Sequence, residues 1–243
     1  MTAAPTRALA RAAVSTAILD SARRHLAESG PAALSLRAVA RDIGMASSAV
    51  YRYFPSRDRL LERLIADAHD AMSAAAEAAE TAVPRDDLPG RWTAVLTAVH
   101  GWARAHPHEY ALVYGTPVPG YRPPDMTMDD AGRVGLLIVR ILQDAARAGR
   151  LHLDALRAAT AEAPPSDHLR HELDMLTAEV LGAAEAAENP VPPEAVAAAV
   201  AAWTHLFGTV NFSVFGQYDS LFCDSDAYVA FSARQFAALL GLT

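Results

Sequence analysis

The chain has 243 residues, a formal net charge of −7, one cysteine and no lysine, all 21 basic residues being arginine. That length can bury a substantial core, in one large domain or a small plus a larger one. Mean hydropathy is +0.10, with 52% apolar residues, many of them alanine. Charges are spread so that no run approaches the ~18 uncharged apolar residues of a membrane-spanning helix, and no membrane partner is expected. Arg11 and Asp20 interrupt the amino-terminal stretch, which argues against a secretory signal. The lone Cys223 excludes an internal disulfide and fits a reducing, cytoplasmic setting.

The charge is unevenly placed. Residues 1–60 hold nine arginines against four acids, a balance of +5, so the remainder carries −12. A basic contact domain on an acidic body gives this split.

In chain order, residues 6–29 carry an apolar stripe at helical spacing (Leu9, Ala13, Val14, Ala17, Ile18, Ala22, Leu26), stopped by Gly30-Pro31. Ser35 is placed to cap a helix over 36–43, which Gly44 ends in a left-handed conformation. A third helix starts at Ser47 or Ser48 and runs to about Phe54, where Pro55 breaks it. Ser56 caps a long fourth helix over 57–81. Residues 83–89 read as a linker. Trp92, Val95, Leu96, Val99 and Trp102 mark a helix to about residue 106, and Pro107 opens a short one. A proline-rich loop fills 115–127, a length more often functional or mobile than structural. Helices follow at about 130–148, 167–188, 194–216 and 225–241, with 151–165 ambiguous between short helix and loop. No strand-period alternation appears. The fold class is therefore all-α, with an N-terminal three-helix head over residues 1–60 and a larger helical domain over 61–243, about nine to ten helices in total.

The stretch SLRAVARDIGMASSAVYRYFPSRDRLL, residues 35–61, resembles the helix-turn-helix signature of the TetR/AcrR family of transcriptional regulators. Leu36, Val39, Ala40, Gly44, Val50, Tyr51, Phe54 and Leu60 occupy the family's apolar and turn positions. Ala46 departs from the capping serine or threonine often found there, and Ser47 is free to cap one residue later. The resemblance implies a role for each exposed position. Ser35 and Leu36 begin the helix that crosses the DNA backbone, with the Ser35 hydroxyl and the first amides available to phosphate. Arg37 reaches a base edge, where a guanidinium matches guanine O6 and N7. Ala46, Ser47, Ser48, Ala49 and Arg52 face the groove, Tyr51 and Tyr53 bond phosphates, and Arg57 contacts the backbone. Phe54 reads as core, and Tyr51 can bury its ring while its hydroxyl stays polar. Arg7, Arg11, Arg23 and Arg24 read as solvated surface, or for the first two as an arm to DNA.

Residues 106–127 (HPHEYALVYGTPVPGYRPPDMT) and 203–208 (WTHLFG) resemble a carboxy-terminal domain class named for its Trp-His-Gly motif, here Trp203, His205 and Gly208. That class sits behind TetR-type heads. It implies a homodimer on a palindromic double-stranded operator, a small-molecule effector that releases it, and a repressor. Trp102, Tyr110, Tyr114, Tyr121, Trp203, His205, Phe207 and Phe212 are the expected lining of an effector cavity, though each alone also reads as core. His205 is either a polar anchor there or a partner of the proline-rich loop. Dimerisation is expected through the last two helices, using the alanine-rich 194–203 face with Val229, Phe231, Phe236 and Leu240.

No cofactor, metal or enzymatic activity is expected. Nucleophile-elbow, P-loop and dinucleotide motifs are missing from the sequence. His168, His171 and Glu172 have helical spacing that can hold a metal, but a solvated face accounts for them. Cys223 beside Asp224 and Asp226 is poorly placed for a thiolate. The competing reading is an all-α small-molecule-binding or interaction module whose head does not bind DNA, against which the charge split speaks.

Overall fold

Gly30, at φ 72°, ends the first helix, α1 (Ala4–Ser29), because that dihedral is costly for any residue with a Cβ. The computed structural model describes residues 4–115, 121, 133–159, 161, 162, 164–181 and 191–242. A short 3-10 turn (Pro31–Ala33) leads to α2 (Leu36–Asp42), capped by Ser35, whose Oγ accepts from the Ala38 N–H at 3.2 Å. Gly44, at φ 67°, closes α2 while the Met45 N–H reaches back to the Ala40 carbonyl. The third helix, α3 (Ser47–Val50), is shorter than expected, with residues 51–53 in turns. Its N-cap is Ala46, which has no side-chain acceptor, so Ser47 does not cap. Beyond Val50 the bonds tighten, with Arg52 N–H to the Ala49 carbonyl and Tyr53 N–H to that of Val50, and Pro55 cannot continue the helix.

The long α4 (Arg57–Thr81) starts where Ser56 Oγ accepts from the Arg59 N–H. There follow α5 (Leu88–Ala105), α6 (Pro107–Tyr114), α7 (Arg133–Arg147), α8 (Leu153–Ala159), α9 (Asp167–Leu181), α10 (Pro193–Val214) and α11 (Ser225–Leu240). All described regular structure is helical. Most of the proline-rich loop and residues 182–188 of the expected 167–188 helix lie outside the described residues.

Two compact units divide the chain. The first holds residues up to Asp70 together with the described residues from His106 to Tyr121; the second holds 71–105 and the described residues from 133 onward. The core of the first gathers Ile18, Leu26, Leu36, Val39, Val50, Leu60 and Leu64 with Leu112 of α6. Arg23, whose sequence context suggested solvated surface, is an internal tie: its guanidinium meets Asp20, Asp67 and Glu109 at 2.9–3.0 Å. Arg24 and the Ser21 hydroxyl both donate to Asp42 (2.7 and 2.6 Å), binding the end of α2 to α1. Those two bonds, Ser21 first, hold the Asp42 carboxyl below the usual carboxylate range.

In the second unit α5 packs against α7, α10 and α11. Trp92 is 1% exposed and donates its indole N–H to the Ala233 carbonyl at 2.9 Å. Arg91, also buried, pairs with Glu80 and Asp144. By length and composition α10 is apolar enough to cross a bilayer, which the reading of short apolar runs did not anticipate, and half of that stretch is buried within the protein. Its alanines 195, 198, 199 and 202 are buried in the chain's own core. Small residues there serve close intramolecular packing first.

Candidate nucleic-acid interface

The start of α2, the turns after α3 and the start of α4 meet around one groove of about 370 Å³, lined among others by Ser35, Arg37, Tyr51, Pro55, Ser56 and Arg57. Capping by Ser35 places Arg37 on the first turn of α2, exposed, and leaves the Ser35 O–H proton free to donate outward. Ala46, Ser48, Tyr51 and Arg52 are exposed, and Ser47, Ala49 and Tyr53 are half-buried. Of the eleven expected contact residues, five, Ser35, Leu36, Arg37, Tyr51 and Arg57, line that groove.

Two of them depart from expectation. Leu36 is 4% exposed and belongs to the core, so it offers only its backbone amide. Arg57 turns inward: Nε donates to the Leu34 carbonyl at 3.2 Å and one terminal nitrogen to the Pro31 carbonyl at 2.8 Å, while the other lies 3.8 Å from Asp58. Its guanidinium thus ties the start of α4 to carbonyls of the turn between α1 and α2, one of which, that of Pro31, also accepts from the Leu34 N–H. Replacing Arg57 with glutamine should lower the stability of the head by about 1–2 kcal/mol, since a charge-assisted bond is worth roughly 1.5–3 kcal/mol and this one is partly solvated. Thermal unfolding measures it; an unchanged midpoint would return Arg57 to the surface role.

Electrostatics separate the arginines into two groups. Arg23, Arg24, Arg59 and Arg63 each face a carboxylate. Arg7, Arg11, Arg37, Arg41 and Arg52 meet none within ion-pair distance among the described residues. A guanidinium with uncommitted donors and uncancelled charge is what a phosphate or a guanine edge requires. Arg59 and Arg63 have their carboxylates three and four residues on, but the ties of Arg23 to Asp67 and Glu109 and of Arg24 to Asp42 join residues far apart in the chain, which no local pattern reveals.

The expected effector residues are divided between the two units. Tyr110, Tyr114 and Tyr121 belong to the first unit; Trp102, Trp203, His205, Phe207 and Phe212 belong to the second. Tyr110 is fully buried, its ring 5.3 Å from that of Tyr114, and burial pushes both phenols well above their usual pKa. Trp203 and Phe212 are 40% and 53% exposed. They stand at the surface rather than around an enclosed space. Trp102 is half-buried and Phe207 is buried against Trp203, their rings 5.2 Å apart. His205 stacks on Phe236 at 4.3 Å and pairs through Nε2 with the Ser232 hydroxyl at 3.3 Å, so its partner is α11. Burial holds that imidazole below the usual histidine range. On α9, His168 meets Glu172 at 3.4 Å with both side chains well exposed.

Comparison with known proteins decides the family. Residues 18–64 match the family described as bacterial regulatory proteins, tetR family, and residues 92–236 match a tetracyclin repressor-like C-terminal domain. The chain belongs to the TetR family. It is a DNA-binding helix-turn-helix transcriptional regulator and not an enzyme. It is similar to the HTH-type transcriptional regulator Rv1816 of Mycobacterium tuberculosis, 34% identical over 210 residues, covering 86% of this chain and 84% of the relative. The crystal structure of the putative regulatory protein SCO4313 is similar at TM-score 0.70 and 29% identity, over 94% of this chain and 97% of that one. A Rhodococcus sp. RHA1 protein of unknown function shares the fold at TM-score 0.67 and 22% identity, over 93% and 95%. The C-terminal match spans Trp203, His205 and Gly208.

Proposed function

We propose that this TetR-family regulator is a repressor that binds a palindromic operator as a homodimer and is released by a small-molecule effector. Residues 1–60 serve as the DNA-binding part and 61–243 as the effector-binding and dimerisation part. Acting on chromosomal DNA places it in the cytoplasm. The observation that carries the reading is the exposure of Arg37 and Arg52 without a carboxylate partner among the described residues, with Arg37 beside Ser35 and Tyr51 at one groove. Alanine at 46 and 49 and serine at 47 and 48 permit close approach to bases but supply few donors. The two arginines therefore read sequence, and Ser35, Tyr51 and Tyr53 hold register on phosphates. The acidic remainder repels DNA, which leaves the head as the docking surface.

Supporting the homodimer is the apolar surface left on the last two helices. Val200, Trp203 and Phe212 on α10, and Phe231 and Leu239 on α11, are 40–72% exposed. Val229 and Leu240, also expected there, are buried in the chain's own core and do not contribute. An apolar patch rimmed by polar residues marks an association surface. The two heads of the dimer would meet half-sites one helical turn apart, about 34–36 Å.

Binding to a duplex from the gene's own upstream region tests the proposal. Arg52→Ala or Arg37→Ala should cost about 1–3 kcal/mol on the operator and relax one base position, with little change on random duplex. Equal weakening on both duplexes would assign that arginine to the backbone. No binding at low salt would favour a module whose head does not engage DNA.

A further inference from the structure

Beside the α2–α4 groove lies a second cleft of about 610 Å³, between α1 and the start of α4. Arg11, Ser15, Tyr53, Pro55, Arg59 and Arg63 are among its lining residues, and none of the lining residues is acidic. Pro55 borders both hollows. The cleft is thus continuous with the surface that carries Arg37 and Tyr51. Two of its arginines are partly committed, Arg59 to Glu62 and Arg63 to Asp67 at 2.6 Å. Arg11 is not: its guanidinium carbon stands 5.7 Å from the centre of the Tyr53 ring, and no carboxylate among the described residues pairs with it. That ring fixes the guanidinium's direction by cation–π attraction while leaving its N–H donors unused.

The helix that delivers Arg11 is unusual in another respect. Residues 7–13 of α1 are each exposed, and the family match begins only at residue 18. A helical stretch this exposed draws little stability from its own backbone. Its side-chain charges are Arg7 and Arg11, four residues apart on one face, and the first acid along the chain is Asp20. A basic face aligned with a basic cleft, next to the base-reading surface, fits a polyanion running past the head.

We propose that Arg11, held over Tyr53 and assisted by Arg59, binds a backbone phosphate of operator DNA flanking the bases addressed by Arg37 and Arg52. α1 then acts as a clamp that extends the contact beyond the helix-turn-helix. This rests on the reading of Arg37 and Arg52 as the base-facing residues. The contact carries no sequence information, so it adds affinity and salt dependence without specificity.

The test compares full-length wild type, Arg11→Ala and Arg11→Lys by fluorescence anisotropy between 50 and 200 mM salt. The probes are operator duplexes with long or trimmed flanks, and random duplex. Alanine is a better helix former than arginine and position 11 is exposed, so the variant keeps its fold. The slope of log K against log salt should become shallower by about 0.9 for each head bound. Per head, the variant then loses about 3.5-fold less affinity over that fourfold salt range. Operator and random duplex should weaken alike. Trimming the flanks should bring wild type down to Arg11→Ala while leaving Arg11→Ala unmoved, and Arg11→Lys should keep most of the slope. An Arg11→Ala protein with wild-type slope and affinity on every duplex overturns the clamp and leaves the operator reading intact. Wild type that binds no duplex at 50 mM salt overturns both.

Discussion

Replacing Arg91 with methionine should lower the stability of the second unit by about 3 kcal/mol, the lower end of the roughly 3–5 kcal/mol seen when one partner of a buried ion pair is removed. The guanidinium is 1% exposed and holds three groups at once: Nε to Glu80 at 2.6 Å, and one terminal nitrogen to Asp144 at 2.8 Å and to the Arg85 carbonyl at 3.2 Å. Glu80, 8% exposed, closes α4, and Asp144 lies on α7. Three parts of the chain therefore converge on one side chain of α5. Its removal strands the Glu80 carboxylate away from bulk water, where an uncompensated charge is costly, and takes one partner from the half-buried Asp144. Arg85 softens the loss, lying 3.5 Å from Glu80 and 2.8 Å from Asp144, but it is itself 69% exposed. For the same reason Arg85→Ala should cost no more than about 1 kcal/mol. All three tryptophans, at 92, 102 and 203, lie in the second unit, so their fluorescence in a urea titration reports this unit directly. Equal shifts for the two variants would mean that Arg91 is no better a tie than a surface charge. The double variant Arg91→Met with Glu80→Leu should recover part of the loss, because it removes the stranded charge together with its partner.

Neither that network nor Arg23's could be read from the sequence, and the reason is physical. Helical periodicity tells which face of a helix is apolar, and it located α2, α4, α5, α10 and α11 to within a few residues. Capping chemistry did the same for helix ends: Ser35, Gly44, Pro55 and Ser56 act where their side chains and dihedrals require. Where that chemistry was missing, at Ala46, α3 is cut to four residues. Ion pairing is different, because it depends on which charges the fold brings together. Arg23 meets Glu109 across 86 positions and Arg57 meets two carbonyls before α2, and no local pattern marks either. The expected effector residues are likewise drawn from both units, which their sequence positions did not show. Aromatic content marks burial and interfaces alike, and it assigned Tyr110, a fully buried residue, and Phe212, a surface residue, to one lining. On the helix-turn-helix the exposed polar positions were legible from family resemblance. Which arginines remain unpaired there is a property of the fold alone.

Trp92→Ala should destabilise the second unit by about 3–5 kcal/mol, the usual cost of emptying a tryptophan-sized core site. The ring is 1% exposed, 5.7 Å from Phe236 and 6.3 Å from His205, and its N–H is the donor to the Ala233 carbonyl. Two terms can be separated. Trp92→Phe retains much of the packing and removes the donor, leaving a buried carbonyl without that bond, and should cost about 1–3 kcal/mol. The remaining difference from alanine is packing and cavity. The consequence reaches function through α11, since Trp92 of α5 grips the same helix that presents Phe231 and Leu239 at the proposed dimer face. With that grip lost, self-association should weaken. Operator binding should then need a higher protein concentration, while random-duplex binding by a single head is little changed. Fluorescence from Trp102 and Trp203 follows the unfolding, and sedimentation follows the association. A Trp92→Ala protein within 1 kcal/mol of wild type would show that α11 is held by its other contacts. A destabilised variant that still dimerises at wild-type concentration would place the dimer face away from α11.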